Sequence, residues 1–125
     1  NTPIETSVEA LAQMQSEGLI RHIGLSNVDQ TQLDRALSVV SIASVQNRFN
    51  AAERGAEQMV DFTAREGIAF IPYGPLGAHP MQAGAKLDPK DALAWLLKRS
   101  PNIVVIPGTT KAAHVAENFS TWAAL

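Results

Sequence analysis

The sequence has no cysteine, little net charge and no long apolar run, and each absence excludes a class of protein. Without cysteine, the chain can form no disulfide framework, no thiolate metal site and no cysteine nucleophile. A formal net charge of −2 argues against a nucleic-acid or anionic-membrane partner, because such partners select a basic excess. No apolar run approaches the roughly 20 residues of a membrane span, and the N-terminus lacks a signal-peptide pattern. We therefore expect a cytoplasmic protein.

Several catalytic and cofactor motifs are also missing. No G-x-G-x-x-G follows the first predicted strand, which weakens the case for a dinucleotide-binding open sheet. The sequence also contains no G-x-S-x-G elbow, so we expect no hydrolase of the type that uses this motif. The histidines His22, His79 and His114 lack the spacing of metal ligands, so the sequence predicts no metal site.

The length of the chain limits its architecture. Its 125 residues suit one domain, and no shift in composition marks an internal boundary. A complete (β/α)8 barrel takes about 250 residues. The chain also opens at Asn1, without an initiator methionine and already within a helix signal. We therefore expect it to be a piece of a longer protein.

Helix and strand signals alternate along the chain. The run Thr2-Pro3-Ile4-Glu5 predicts a capping box with Thr2 as N-cap. Further helices are predicted to begin at Asn27 or Asp29, at Glu53, at Asp88 and near Thr110. Apolar runs at residues 19–25, 42–46, 68–71 and 103–106 predict four strands. This alternation indicates a parallel sheet, either open and doubly wound or an arc of a barrel.

Uncharged polar residues follow the predicted strands, at the edge where parallel α/β folds bind ligands. They are Ser26, Asn27, Gln46 and Tyr73, followed by Gly108, Thr109 and Thr110 after the last strand. Each also has a structural explanation: Ser26, Asn27 and the threonines are common helix caps, Gln46 could be a satisfied buried amide, and Tyr73 a packing aromatic. Because all of them fall at equivalent strand ends, we favour ligand binding. Backbone N–H groups, hydroxyls and Lys111 at a helix N-terminus suit a phosphate.

Five stretches of the chain strongly resemble the aldo-keto reductase family. They are EGLIRHIGLSN at 17–27, VQNRFN at 45–50, IPYGPL at 71–76, AWLL at 94–97 and IPGTTKAAHVAEN at 106–118. They span nearly the whole chain in the family's order. The resemblance implies an α/β fold, the C-terminal half of a (β/α)8 TIM barrel with four parallel strands and five helices. It thereby decides between the two architectures that the alternation leaves open.

The resemblance also implies a role for each residue toward the cofactor NADP(H). Ser26, Asn27 and Gln46 would hydrogen-bond the nicotinamide carboxamide, and Tyr73 would stack on the nicotinamide ring. The adenosine end would be held by Gly108, Thr109, Thr110, Lys111, His114, Glu117 and Asn118. Gly108, Thr109 and Thr110 would hold the 2′-phosphate, with Lys111 as a nearby positive group. His114, where many members have an arginine, would contact the phosphate or the adenine, and the last two residues would read the adenine edge.

Two departures from the family pattern concern the residues after Tyr73. Gly74 replaces the serine that usually follows the tyrosine, which removes one hydroxyl near the pyrophosphate. Residues 77–87 are short for the connection that normally contacts cofactor and substrate, so no pyrophosphate clamp is predicted there. In the family, the acid tyrosine, its lysine and aspartate partners and the active-site histidine lie in the half of the barrel that would precede Asn1.

We therefore expect the C-terminal portion of an NADP(H)-dependent oxidoreductase that reduces a small aldehyde or ketone by hydride transfer. The 125-residue chain by itself should lack activity, because the catalytic tetrad would lie upstream. The alternative is a non-catalytic half-barrel that binds NADP(H) or associates with itself. Exposed sheet edges of a half-barrel would then form a homo-oligomer.

Overall fold

Helices and strands alternate in the computed structural model, which describes residues 2–76 and 88–125. In chain order the elements are α1 (Ile4–Ser16), β1 (Gly24–Ser26), α2 (Gln30–Leu37), β2 (Ser44–Arg48), α3 (Glu57–Arg65), β3 (Ala69–Tyr73), α4 (Pro89–Arg99) and α5 (Ala112–Ala123). The five predicted helices are thus confirmed. All three strands begin and end later than predicted.

The strands form one parallel sheet in the order β1-β2-β3. In its register Ser26 lies beside Gln46, and Gln46 lies beside Ile71. Residues in register on parallel strands point to the same side of the sheet, so Ser26 and Gln46 share a face. The parallel sheet expected from the sequence is confirmed, and it brings the carboxyl ends of the strands to one edge.

The predicted fourth strand at residues 103–106 is wrong in its extent. Within the described residues it makes only an isolated parallel bridge between Ile103 and Phe70. The N–H of Phe70 donates to Asn102 O, and the N–H of Val104 donates to Phe70 O, both at 2.9 Å. The next residue of β3 that faces this side is Pro72, which has no N–H to donate. The ladder therefore ends after one bridge.

The ends of the helices largely follow local signals. Gly18 and Gly67, at φ 75° and 69°, lie just past the C-caps of α1 and α3, where a left-handed residue ends a helix. Asp29 caps α2 in a reciprocal capping box with Gln32. Asp88 accepts hydrogen bonds from the first N–H groups of α4. Asp29, rather than Asn27, is therefore the cap of the second helix.

Two predicted helix starts are wrong. The expected capping box at Thr2 does not form: Pro3 is the N-cap of α1, with no side-chain hydrogen bond to it. Glu5, the partner expected for that box, instead makes two hydrogen bonds with the guanidinium of Arg35 on α2. A charged partner outcompetes a backbone N–H for a carboxylate. The third helix begins at Glu57 rather than Glu53, because Glu53 belongs to a turn organised by Asn50.

The core lies between the sheet and the helices. Its fully buried side chains include Leu33 of α2, Val45 of β2, Val60 of α3, Phe70 of β3 and Leu96 of α4. The opposite face of the sheet is more open among the described residues. Ser26 and Gly24 are exposed there. The apolar burial thus stabilises one face of the sheet only.

Two sets of apolar side chains stay exposed on the C-terminal part of the chain. Val104 and Ile106 are 51% and 44% exposed beyond the bridge to Phe70. On α5, Val115, Phe119 and Trp122 form the stripe predicted from their spacing, yet they are 58%, 64% and 57% exposed. Apolar surface of this kind marks an interaction face.

No helix in the described ranges has the length and apolar character needed to cross a membrane.

Candidate functional site

The fold gathers four of the predicted ligand-binding residues at the carboxyl edge of the sheet. Ser26 ends β1 and Asn27 follows it, Gln46 lies in β2, and Tyr73 ends β3. Each is held by the strand that carries it, because parallel pairing fixes the neighbouring strand ends relative to one another. The cluster therefore depends on the sheet rather than on a flexible loop.

Tyr73 and Asn27 connect the two outer strands across the end of β2. The Tyr73 hydroxyl donates to Asn27 Oδ1 at 2.7 Å. The backbone of Asn27 has φ 54°, a left-handed conformation that asparagine tolerates better than most residues. Its N–H donates to Gln46 O at 3.0 Å. With Oδ1 engaged by Tyr73, the NH₂ of Asn27 has no hydrogen-bond partner among residues 2–76 and 88–125 and can be offered to a ligand.

The remaining polar groups of this cluster are available for binding. Within residues 2–76 and 88–125, the Ser26 hydroxyl and the Gln46 amide make no side-chain hydrogen bond. Neither caps α2, since Asp29 does. A hydroxyl, two amides and an aromatic ring on one edge match the chemistry of a nicotinamide, whose carboxamide needs both donors and acceptors. The residues present therefore fit that group.

A cleft of about 630 Å³ opens beside this cluster. Asn27 and Tyr73 belong to its lining and Ser26 and Gln46 do not, so the cleft adjoins the cluster at the Tyr73–Asn27 hydrogen bond. The apolar part of the lining comes from Val28, Ala56 and Met59. Its size falls in the range of ligand sites of small organic molecules.

A second set of residues, which sequence reasoning did not single out, supports the edge from behind. The Asn47 side chain accepts from the N–H of Val28 at 3.2 Å and donates to its carbonyl at 2.7 Å. It thereby ties the loop after β1 to the end of β2. The sequence places Asn47 beside Gln46 at the end of the second predicted strand, within the stretch VQNRFN, but its partner lies 19 residues away and could not be predicted.

Arg48 and Glu53 form an ion pair in the wall of the cleft. Arg48 Nε donates to Glu53 Oε1 at 2.8 Å. This hydrogen bond, with a further one from Asn50, lowers the pKa of the Glu53 carboxyl below its ordinary value. Because both side chains are more than a third exposed, the pair orients groups more than it stabilises the fold.

The residues predicted to hold the adenosine end lie around the start of α5. Thr109 Oγ1 accepts from the N–H of Lys111 at 3.1 Å, so it has a structural role there. The same oxygen is 3.0 Å from His114 Nδ1, which leaves the hydroxyl hydrogen free for that nitrogen. No side chain caps α5 at Lys111, so its first N–H groups remain available to an anion.

The other residues predicted for the adenosine end make fewer contacts. Gly108, Thr110 and Glu117 are exposed, and Asn118 is half-buried on α5. Among the described residues, no side-chain hydrogen bond or salt bridge joins this group to the cluster around Tyr73. Residues 77–87, including His79 and the short connection after β3, lie outside the described residues. Nor do three His, Asp or Glu side chains gather as metal ligands anywhere in the described ranges.

Comparison with known sequences identifies the family. The Aldo/keto reductase family profile matches residues 1–92. Pyridoxine 4-dehydrogenase of Escherichia coli K12 is 46% identical over 127 aligned positions, which cover 94% of this chain and 44% of that protein. An uncharacterized oxidoreductase of Schizosaccharomyces pombe is 39% identical, over 93% of this chain and 42% of its own length. The chain thus spans less than half the length of these two relatives.

Comparison with solved structures agrees. A thermostable aldo-keto reductase in complex with the inhibitor epalrestat superposes with a TM-score of 0.81 at 26% identity, over 98% of this chain and 50% of that one. An aldo-keto reductase from Klebsiella pneumoniae in complex with NADPH gives a TM-score of 0.84 at 22% identity, with the same coverage. The fold is therefore part of a (β/α)8 barrel, and the chain belongs to the aldo/keto reductase family.

Proposed function

We propose that this chain is the C-terminal half of an NADP(H)-dependent oxidoreductase that reduces aldehydes or ketones, and that it supplies the residues that bind the cofactor. The observation that carries the proposal is the hydrogen bond between Tyr73 and Asn27. It holds an aromatic ring beside amide and hydroxyl groups at the ligand-binding edge of a parallel sheet. When bound, the reduced cofactor would supply the hydride.

The chain's own residues would orient the nicotinamide ring. Ser26, the NH₂ of Asn27 and the amide of Gln46 can hydrogen-bond the carboxamide and so fix its rotation. The ring of Tyr73 would cover one face of the nicotinamide, which leaves the other face to the carbonyl substrate. These residues would therefore act by positioning the nicotinamide, because precise placement of two reactants lowers the entropic part of the activation barrier for hydride transfer.

The start of α5 would bind the other end of the cofactor. An anion there would meet backbone N–H groups, the Thr110 hydroxyl and the Lys111 ammonium. Thr109, whose hydroxyl already pairs with the Lys111 N–H and His114 Nδ1, would hold these groups in place around the anion. His114, held by Thr109, adds a ring nitrogen on the same side. A 2′-phosphate fits this set better than a bare hydroxyl, which favours NADP(H) over NAD(H). Glu117 and Asn118, further along α5, would face the adenine.

The chain alone should bind the cofactor without turnover. Reduction of a carbonyl needs a proton donor near the hydride acceptor, and Tyr73 is the only tyrosine of the chain. Its hydroxyl already donates to Asn27. The proton donor would therefore come from the part of the barrel that this chain does not include. Because pyridoxine 4-dehydrogenase is a relative, pyridoxal is the first carbonyl to test with the complete protein.

A titration of the chain with NADPH, followed by the fluorescence of the reduced nicotinamide, tests the proposal. We expect tighter binding of NADPH than of NADH, and no consumption of NADPH when pyridoxal is added. Gln46→Ala should raise the Kd of NADPH about tenfold, the effect of one ligand hydrogen bond. Gln13→Ala, on the exposed surface of α1, is the matched control. The proposal fails if the chain binds no NADPH, or if both variants behave alike.

The exposed apolar residues favour a second candidate function, self-association. Val104 and Ile106, which follow the bridge at Ile103, and Phe119 and Trp122 on α5 form surface that a second copy could cover. Light scattering at micromolar concentration measures this directly. A dimer that reverts to monomer in Val104→Ser would support association through the sheet, and a monomeric wild type would exclude it.

A further inference from the structure

Asn50 is a fully buried polar residue that the proposed cofactor site does not use. It lies two residues after β2 and has 0% of its surface exposed. Its Oδ1 accepts from the N–H groups of Ala52 and Glu53, both at 2.9 Å. Its Nδ2 donates to Glu53 Oε2 at 2.8 Å and to Gly74 O at 3.0 Å. Both amide hydrogens and the amide oxygen are thus committed, which makes the side chain a rigid connection.

These hydrogen bonds reach Tyr73 from two sides. Gly74, whose carbonyl Asn50 holds, is the residue directly after Tyr73 and has φ 66°. Glu53, which Asn50 also holds, pairs with Arg48, and Arg48 is the cross-strand neighbour of Tyr73. The direct backbone bond from Phe49 N–H to Tyr73 O is long, at 3.4 Å. Asn50 therefore supplies much of what fixes the backbone at the end of β3.

The Tyr73 ring is held at both ends as a result. Its hydroxyl is fixed by Asn27, and its backbone is fixed through Asn50. A ring restrained only at its hydroxyl can still tilt about that point when its own backbone moves. Stacking on a flat ligand depends on the tilt of the ring plane, since stacked rings gain contact only when nearly parallel.

We propose that Asn50 is a positioning residue that sets the plane of the Tyr73 ring for stacking on the nicotinamide. The proposal rests on the proposed function and extends it to a residue that is buried and touches no cofactor. Asn50 acts through Gly74 on one side and through Glu53 and Arg48 on the other. It matters for the nicotinamide end of the cofactor and not for the adenosine end.

Asn102, beside the amino end of β3, offers a matched control away from the carboxyl edge of the sheet. Asn102 precedes the bridge residue Ile103, and its Nδ2 donates to Thr63 Oγ1 at 3.0 Å and to Ile68 O at 2.9 Å. Its Oδ1 accepts from the Ser100 hydroxyl. Asn102→Ala therefore removes a comparable set of hydrogen bonds without touching the carboxyl edge.

The experiment compares the chain with its Asn50→Ala and Asn102→Ala variants in two titrations. NADPH reports on both ends of the site, and adenosine 2′,5′-bisphosphate reports on the adenosine end alone. Asn50→Ala should weaken NADPH binding about tenfold, equal to about 1.4 kcal/mol, and leave binding of the bisphosphate unchanged. Asn102→Ala should leave both unchanged. Equal losses for the two probes, or equal losses in the two variants, would overturn the proposal.

Two further measurements keep the test decisive if Asn50→Ala unfolds. Asn50→Ser keeps a side-chain oxygen that can accept from the N–H groups of Ala52 and Glu53, and it adds no charge beside Glu53. Its side chain is shorter and loses the hydrogen bond to Gly74 O, so it should reproduce the loss for NADPH. Because the chain has a single tyrosine, its ring signals in an NMR spectrum belong to Tyr73. Without cofactor, they should shift in Asn50→Ser and stay in place in Asn102→Ala. Unshifted signals would refute the role of Asn50, even in a chain that binds no NADPH and so disproves the proposed function.

Discussion

At the scale of single residues, the candidate site depends on side chains whose partners are distant in the sequence. Tyr73 and Asn27 are 46 residues apart, and Asn50 and Gly74 are 24 apart. The positions of Ser26, Asn27 and Tyr73 at strand ends could be predicted from local patterns, whereas Gln46, expected at a strand end, lies in the middle of β2. The supporting role of Asn50 could not, because a buried asparagine is recognised only by the partners that the fold brings to it.

Removal of the Tyr73 hydroxyl should weaken cofactor binding modestly. Tyr73→Phe keeps the ring but loses the bond to Asn27, so the ring becomes less well oriented. The expected rise in the Kd of NADPH is about threefold to tenfold, since a net hydrogen bond is worth about 0.5–1.5 kcal/mol. Tyr73→Ala, which removes the ring as well, should cost more. A titration in which Phe and Ala are equivalent would contradict a stacking role.

The ion pair of Arg48 and Glu53 should make stability depend on acid pH. The hydrogen bond from Arg48 lowers the pKa of Glu53 below 4.5 in the folded chain. A lowered folded-state pKa stabilises the fold above the unfolded-state pKa, and this contribution is lost as the pH falls through the lowered value. Glu53→Gln should therefore show a shallower loss of stability below about pH 4.5 than the wild type. The urea midpoints of both proteins across this pH range measure the difference. If the two midpoints fall in parallel with pH, the ion pair does not contribute to the pH dependence of stability.

At the scale of elements, the sequence predicts a helix or strand well where the signal is local, and poorly where a partner decides. Gly18 and Gly67 end their helices as expected, because a left-handed residue is a local requirement. Thr2 fails as a cap because Arg35, on another helix, takes the carboxylate that the capping box needs. Residues 103–106 fail to form a strand because Pro72, on a neighbouring strand, lacks the N–H that would extend the ladder.

The two capping predictions can be separated by mutation. Asp29→Ala removes the hydrogen bond to Gln32 N–H at 2.8 Å and the capping box of α2. It should lower the free energy of unfolding by about 0.5–2 kcal/mol. Thr2→Ala, at a position without a capping bond, should change it by less than about 0.5 kcal/mol. Urea denaturation of both variants measures this, and equal effects would show that Thr2 caps α1 after all.

At the scale of the whole molecule, the described part of the chain leaves some of its apolar surface uncovered. Helices cover one face of the sheet, while apolar residues of the C-terminal part stay exposed. The relatives that it matches are more than twice the aligned length, which agrees with a fold that needs further chain to bury this surface. The same division agrees with the proposed function, in which this chain would bind the cofactor and the rest of the barrel would supply the proton donor.

The most direct test of the central claim is the contact between Tyr73 and the nicotinamide. In a mixture of the chain with NADP⁺, nuclear Overhauser effects from the single tyrosine ring report which protons of the cofactor lie within about 5 Å. We expect effects to the nicotinamide ring protons and none to the adenine protons. Effects to adenine alone, or none at saturating cofactor, would contradict the cofactor site described here.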